Sequence, residues 1–237
     1  MKIITQLFLI LILLGGKQVA MAHAVWIESK ASASKNQPHD VKIFYGEYAS
    51  GEKESTDKWY SDLKNLEVWL TTPDNQRVKL DVKDEQGHLA TSFVPEKDGL
   101  YYISTVHATK DLGGTTKYNF SSLVPVSVGK LVNHANSPKD LPFAVEKVVT
   151  NGKNKSEVEV LVSSNGKAVK DAEVIVMSET GWTKTFKTNE KGIVSFSPQW
   201  KGNYVVEASQ MNDETGRWND KDYTRNWHGA TTFFEQK

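Results

Sequence analysis

Lys97-Asp98-Gly99-Leu100-Tyr101-Tyr102-Ile103-Ser104-Thr105-Val106-His107-Ala108 is the stretch that decides the fold class. A turn cluster opens it, and a run rich in aromatic and β-branched side chains follows without Gly or Pro. Such side chains suit a pleated surface and lose rotamer freedom against a helical turn, so Leu100 to Ala108 reads as a strand. Comparable runs lie outward from it at Ala24 to Ile27, Asp40 to Tyr45, Glu67 to Thr71, Arg77 to Val82, Leu89 to Val94 and Leu123 to Val128. Breaks such as Pro73-Asp74-Asn75 separate them. Seven short strands over about a hundred residues have the spacing of an immunoglobulin-like sandwich. No stretch offers a long amphipathic helix.

The pattern is interrupted at Asn133 to Pro142, read as a linker between an N-terminal sandwich (23–132) and a C-terminal one (143–237). Further strands are expected from Phe143 and at Lys155 to Ser163, Ala172 to Ser178, Trp182 to Thr188, Ile193 to Phe196, Asn203 to Ser209 and Ala230 to Glu235. Gly166-Lys-Ala-Val-Lys-Asp-Ala-Glu-Val-Ile-Val176, Thr188-Asn-Glu-Lys-Gly192 and Lys201-Gly-Asn-Tyr204 together resemble the transthyretin-like modules of exported bacterial proteins. The resemblance implies a hairpin at Asn-Glu-Lys-Gly and a structural role for Tyr204. The expected class is all-β, two immunoglobulin-like or transthyretin-like β-sandwich domains.

Composition narrows the function. The 237 residues carry 29 basic and 29 acidic side chains and no cysteine. That excludes disulfides, thiolate metal sites, iron–sulfur clusters and a cysteine nucleophile, so any metal must be held by N and O ligands. The balanced, dispersed charge argues against a nucleic-acid partner. Residues 1–22 have a signal-peptide pattern: Met1-Lys2, the apolar run Ile3 to Leu14 and the small-x-small end Ala20-Met21-Ala22. Cleavage after Ala22 would remove Lys2 and Lys17 and leave a formal charge of −2. Export without cysteines suits a bacterial periplasm, where the acceptor patterns Asn119-Phe-Ser121 and Asn154-Lys-Ser156 are chance matches.

Cleavage there makes His23 the first residue, so that one residue offers an α-amine and an imidazole to one metal ion. The amine, with a reference pKa of about 7.7 to 8.0, deprotonates far more readily than lysine. Partners are sought at strand ends: His107 closes the Leu100 run, and His228 lies in Trp227-His-Gly-Ala-Thr-Thr-Phe-Phe. Convergence of the three imidazoles and the amine would suit Cu(II), Ni(II) or Zn(II), with copper favoured at equal geometry. Glu47, in Phe44-Tyr-Gly-Glu-Tyr48, is the candidate for an oxygen ligand or for a partner that orients a histidine. Strand alternation turns Glu28 away from His23. His39, His88 and His134 read as solvent-facing, Glu52 to Asp57 as a solvated charged run, and the acidic segment holding Asp213, Glu214, Asp220 and Asp222 as a mobile loop.

His-Ala-Val-Trp-Ile-Glu28, Val41-Lys-Ile-Phe-Tyr-Gly-Glu-Tyr-Ala49, Gly99-Leu-Tyr-Tyr-Ile103 and Trp227-His-Gly-Ala-Thr-Thr-Phe233 resemble the NikK-like family of exported proteins associated with nickel or cobalt uptake. The resemblance implies a periplasmic domain that binds a divalent transition metal and presents it to a membrane transporter, with no chemistry of its own. His23 and His228 carry most of that weight.

Two rival classes share parts of this pattern. A copper histidine brace, in a copper carrier or a lytic polysaccharide monooxygenase, also begins with histidine on a β-sandwich. A carbohydrate-binding or adhesion sandwich would use aromatics such as Trp59, Tyr60, Trp182, Trp200, Trp218 and Trp227 as stacking platforms. No Gly-x-Ser-x-Gly elbow, His-Glu-x-x-His helix or phosphate-cradling loop occurs.

Overall fold

The computed structural model describes residues 23–130, 136–149 and 157–237. The expected leader 1–22, His134, the Asn154 acceptor pattern, the first residues of the linker and the start of the Lys155 run lie outside the described residues. The chain is all-β, with no helix as long as two turns among the described residues. None is long and apolar enough to cross a membrane.

The largest sheet has nine strands. Its order is Thr183–Lys187, Glu173–Ser178, Gly202–Trp218, Lys221–Gln236, Thr116–Val128, Gly99–Ala108, Val68–Thr71 and Arg77–Leu80. The short strand Ser32–Ala33 pairs beside the end of Thr116–Val128. Strands from both sides of the expected linker therefore share one sheet, joined where Thr116–Ser122 runs parallel to Arg225–Thr231. The expected boundary at 133–142 does not part the sheets, and the first core draws on side chains from both sides of it. Parallel pairing between strands about a hundred residues apart has no local sequence signature, because the ladder is made after a long excursion of chain.

Alternation along this sheet feeds the two cores. Met177, Val205, Trp227 and Phe233 point to one face and pack with Val25, Ile27, Ile103 and Val124. Val176, Tyr204, Val206 and Phe234 point to the other and pack with Phe143, Val160 and Phe196. The first core is closed by a five-stranded sheet ordered Ala24–Ser29, His39–Glu47, Leu89–Phe93 and Lys83–Asp84, with Glu52–Lys53 pairing on His39–Glu47. The second is closed by Phe143–Lys147, Val158–Ser164, Lys167–Ala168 and Ile193–Phe196. Thr231 stitches the first strand to the large sheet, donating to the Val25 carbonyl at 2.7 Å.

Two Gly-x-Tyr segments make the same local structure. The Tyr101 hydroxyl donates to the Lys97 carbonyl at 2.9 Å and accepts the Lys97 N–H at 3.1 Å. Tyr204 does likewise with Trp200, at 3.0 and 3.2 Å, while its ring stacks on Phe234 with centroids 5.2 Å apart. Each tyrosine fastens the turn that feeds its own strand. Tyr204→Phe removes the hydroxyl that joins the Trp200 N–H and carbonyl and should cost about 1 kcal/mol, read as a lower urea midpoint at unchanged slope.

The segment expected to be a mobile acidic loop is the end of a long hairpin. Gly202–Trp218 pairs with Lys221–Gln236 to its tip, where Trp218 faces Lys221 across Asn219-Asp220. Both turn residues have positive φ, 47° and 63°, as a two-residue type I′ turn requires. The Asn-Asp pair was the available signal.

Glu207 lies in this hairpin opposite Ile175 and Thr231. Burial pushes its carboxyl up to about 8, although part of the residue remains accessible. The folded state holds a proton that the unfolded chain has released, so Glu207's contribution is full below about pH 4.5 and is lost as pH rises toward 8. Glu207→Gln should flatten that decline and stabilise the protein at pH 8 by on the order of 1–3 kcal/mol, allowing for its residual exposure. Denaturant unfolding at pH 5 and pH 8 measures it.

Candidate metal centre

The centre is built at the open end of the first core. Val25 and Ile27 point inward from Ala24–Ser29 and are buried, and His23 is the preceding position on that side. The antiparallel register pairs Ala24 with Gly46 and Val25 with Tyr45, which sets His23 across from Glu47. A single 3-10 turn, Tyr48–Ser50, is closed by Gly51 in the left-handed region at φ 74°. The returning strand then pairs Glu52 with Glu47 and Lys53 with Gly46. One row across three strand segments thus carries His23, Glu47 and Glu52.

The ligand-type atoms of these three residues lie within 4.8 Å of one another, the cluster of this kind found among the described residues. His23 Nδ1 is 3.6 Å from Glu47 Oε1, and His23 Nε2 is 3.5 Å from Glu54 Oε1. These are ion-pair separations rather than tight hydrogen bonds. Trp59 holds the Glu54 segment by donating Nε1–H to its carbonyl at 3.0 Å. Lys53, between the two acids, points to the other face: its Nζ lies 2.9 Å from Glu28 and 3.7 Å from the Phe44 ring centre. The one lysine of the Glu-Lys-Glu segment therefore leaves the carboxylates around His23 uncompensated.

Glu28 also accepts Trp26 Nε1–H at 3.0 Å, on the face away from His23. The Glu52 to Asp57 run is not simply solvated. Its Glu-Lys-Glu opening alternates with the period of a strand, the signal by which Glu52 and Glu54 could have been found.

The structure does not bring His107 and His228 to His23. His107 Nε2 lies 3.0 Å from Asp62 Oδ1, and the Lys110 N–H reaches the same oxygen at 2.8 Å. Burial alone would raise the Asp62 carboxyl, but these hydrogen bonds outweigh it and hold it below its usual range. The pair anchors the segment carrying Asp62 to the end of the Gly99–Ala108 strand. His228 stands opposite Asn119 in the parallel ladder, one residue after Trp227, which pairs with Tyr118. Strand alternation puts it on the face of the large sheet away from Trp227 and the first core. Its Nδ1 is buried without a partner, and burial lowers its pKa.

Two other histidines depart from their solvent-facing reading. His39 is buried, its Nε2 2.7 Å from Ser29 Oγ, because the strand His39–Glu47 begins on its inward phase. His88 stacks on Phe44 with centroids 5.2 Å apart. Asn119, in an acceptor pattern, is also buried, and its amide donates to Asn226 Oδ1 and the Trp227 carbonyl.

Beside the cluster is a cavity of about 260 Å³ lined by His23, Tyr45, Tyr60, Tyr118, Phe120 and Trp227. The His23 and Tyr45 rings are 5.2 Å apart. Burial, and then the Glu54 carboxylate, push the Tyr45 phenol up to about 12, so it remains a neutral hydroxyl. Of the suggested stacking residues, Tyr60 and Trp227 line this cavity. Trp182 and Trp200 pair with each other at 5.6 Å, and Trp218 donates to the Thr109 carbonyl at 2.8 Å.

Fold and cluster define an all-β sandwich protein with an imidazole–carboxylate cluster at the head of its first strand. The chain belongs to the family described as a domain of unknown function, DUF4198, which matches residues 20–212. No curated protein matches it.

Proposed function

We propose that the protein binds a divalent transition-metal ion as cargo, through His23 Nδ1 or Nε2 and the carboxylates of Glu47 and Glu52, with Glu54 beside them. The observation carrying this reading is the convergence of three acids on one imidazole while Lys53 faces away. Carboxylates held this close repel one another unless a cation is shared between them. The donors are borderline nitrogen and hard oxygen with no thiolate, a set that accommodates Ni, Co, Zn or Cu in the divalent state. Cleavage after Ala22 adds the His23 amine to it.

The NikK-like resemblance supplies the setting: an exported periplasmic protein, without catalysis of its own, that hands nickel or cobalt to a membrane transporter. A copper histidine brace has less support, since it needs a second imidazole, and His107 and His228 are engaged or placed elsewhere.

Titration calorimetry with Ni(II), Co(II), Cu(II) and Zn(II) tests the reading on protein starting at His23 and on protein with one residue before it. Both should bind, the free-amine form at least tenfold more tightly, about 1.4 kcal/mol. Absence of binding by both forms refutes it.

A further inference from the structure

We propose that the aromatic cavity beside His23 is a binding site for a small organic cation of the alkylammonium class. The site goes beyond the metal reading and does not depend on a bound metal. Five aromatic rings wall a space of about 260 Å³. Three neighbouring pairs meet at steep angles, 86° between Tyr60 and Tyr118, 85° between Tyr45 and Phe120, and 69° between Tyr118 and Trp227, while Tyr118 and Phe120 are inclined by 33°. Rings set this way present walls from several directions, as a box does. The face of each carries the negative part of its quadrupole, which attracts a cation whose charge is spread over alkyl groups.

The surrounding charge has the matching sign. No Lys or Arg lines the cavity. Glu47 and Glu54 flank His23 on one side, whereas Asp111 gives the cavity wall only its carbonyl, which accepts the Tyr60 hydroxyl at 3.3 Å, its carboxylate lying 3.7 Å from Lys221 Nζ. Lys117, next to Tyr118 in sequence, is carried away by strand alternation and sits 3.9 Å from the Trp218 ring centre. An aromatic box with acids outside it and no competing ammonium within favours a charged alkylammonium over an uncharged guest of the same shape. It also favours one over a sugar, because the lining residues are aromatic apart from Gly113 and offer no carboxylate, carboxamide or aliphatic hydroxyl to hold a ring of hydroxyl groups.

The experiment is calorimetric titration of the full mature chain in EDTA, which separates the result from any metal binding. Choline is the probe. Its uncharged carbon isostere, with a quaternary carbon in place of the nitrogen, and glucose are the controls. Tyr60→Ala and Tyr118→Leu are measured alongside, with circular dichroism to establish that each variant is folded. Choline should bind saturably and the isostere at least fivefold more weakly, about 1 kcal/mol. Each variant that folds should lose at least fivefold in choline affinity. Absence of choline binding, equal binding of the isostere, binding of glucose in place of choline, or indifference to both substitutions would overturn the proposal.

Discussion

Replacing Glu47 and Glu52 together with glutamine is expected to weaken nickel binding at least a hundredfold, about 2.7 kcal/mol, while making the metal-free protein more stable. The two effects share one cause. Without metal, Glu47, Glu52 and Glu54 surround a single imidazole, and Lys53 is held by Glu28 on the other face. Removing two of the charges relieves repulsion at a half-exposed site, worth up to about 1 kcal/mol after solvent screening. For a chain of this size that raises the melting temperature by roughly 2–4 °C. With metal, the same substitutions remove two anionic oxygen donors. A structural ion pair behaves differently, because losing its acids lowers stability and leaves metal affinity alone. Calorimetric titration and thermal scans of the same variant distinguish the cases, and a lower melting temperature with unchanged affinity would contradict the assignment.

Gly46→Ala should have the second large effect. Gly46 has φ 150°, which a residue with a Cβ adopts only under strain, and an added Cβ would sit 2.3 Å from the Glu52 carbonyl oxygen. That contact is backbone, so no side chain can swing aside to relieve it. The variant is expected to lose about 2–4 kcal/mol in urea unfolding, from local strain and from displacement of the Glu52–Lys53 strand. Since this strand delivers Glu52 to Glu47, nickel affinity should fall as well, although no ligand has been changed. Unaltered stability and affinity would mean that the returning strand is free to shift and does not position the cluster.

The fold class was legible wherever the signal was local. Runs of β-branched and aromatic residues between turn clusters gave the strands, and the Gly-x-Tyr of the transthyretin-like pattern marked a tyrosine that does close a turn. Tyr101 plays the same part in Gly99-Leu-Tyr101, which the sequence presented only as part of a strand. The sheet's continuity across both cores was not legible, because it rests on a parallel ladder between Thr116–Ser122 and Arg225–Thr231 that leaves no mark on either segment.

The candidate site shows the same division. Alternation from His23 through Val25 and Ile27, and the turn after Phe44-Tyr-Gly-Glu, were readable, and the structure places Glu47 beside His23. Glu52 and Glu54 were not singled out, because their run of alternating charge looks solvated until it is paired as a strand. His228 was misplaced for a related reason. Its neighbour Trp227 does face the cavity beside His23, and a shift of one residue along a strand carries the side chain to the opposite face of the sheet.

The number of imidazoles on the metal tests the central claim most directly. X-ray absorption at the nickel K edge of nickel-loaded protein beginning at His23, fitted for the outer-shell scattering of histidine rings, reports that number. One imidazole in a shell of oxygen and nitrogen donors is the expected spectrum, unchanged in His107→Ala and His228→Ala and lost in His23→Ala. A spectrum requiring two or three imidazoles, or one that survives His23→Ala, would contradict a centre built on His23, Glu47 and Glu52.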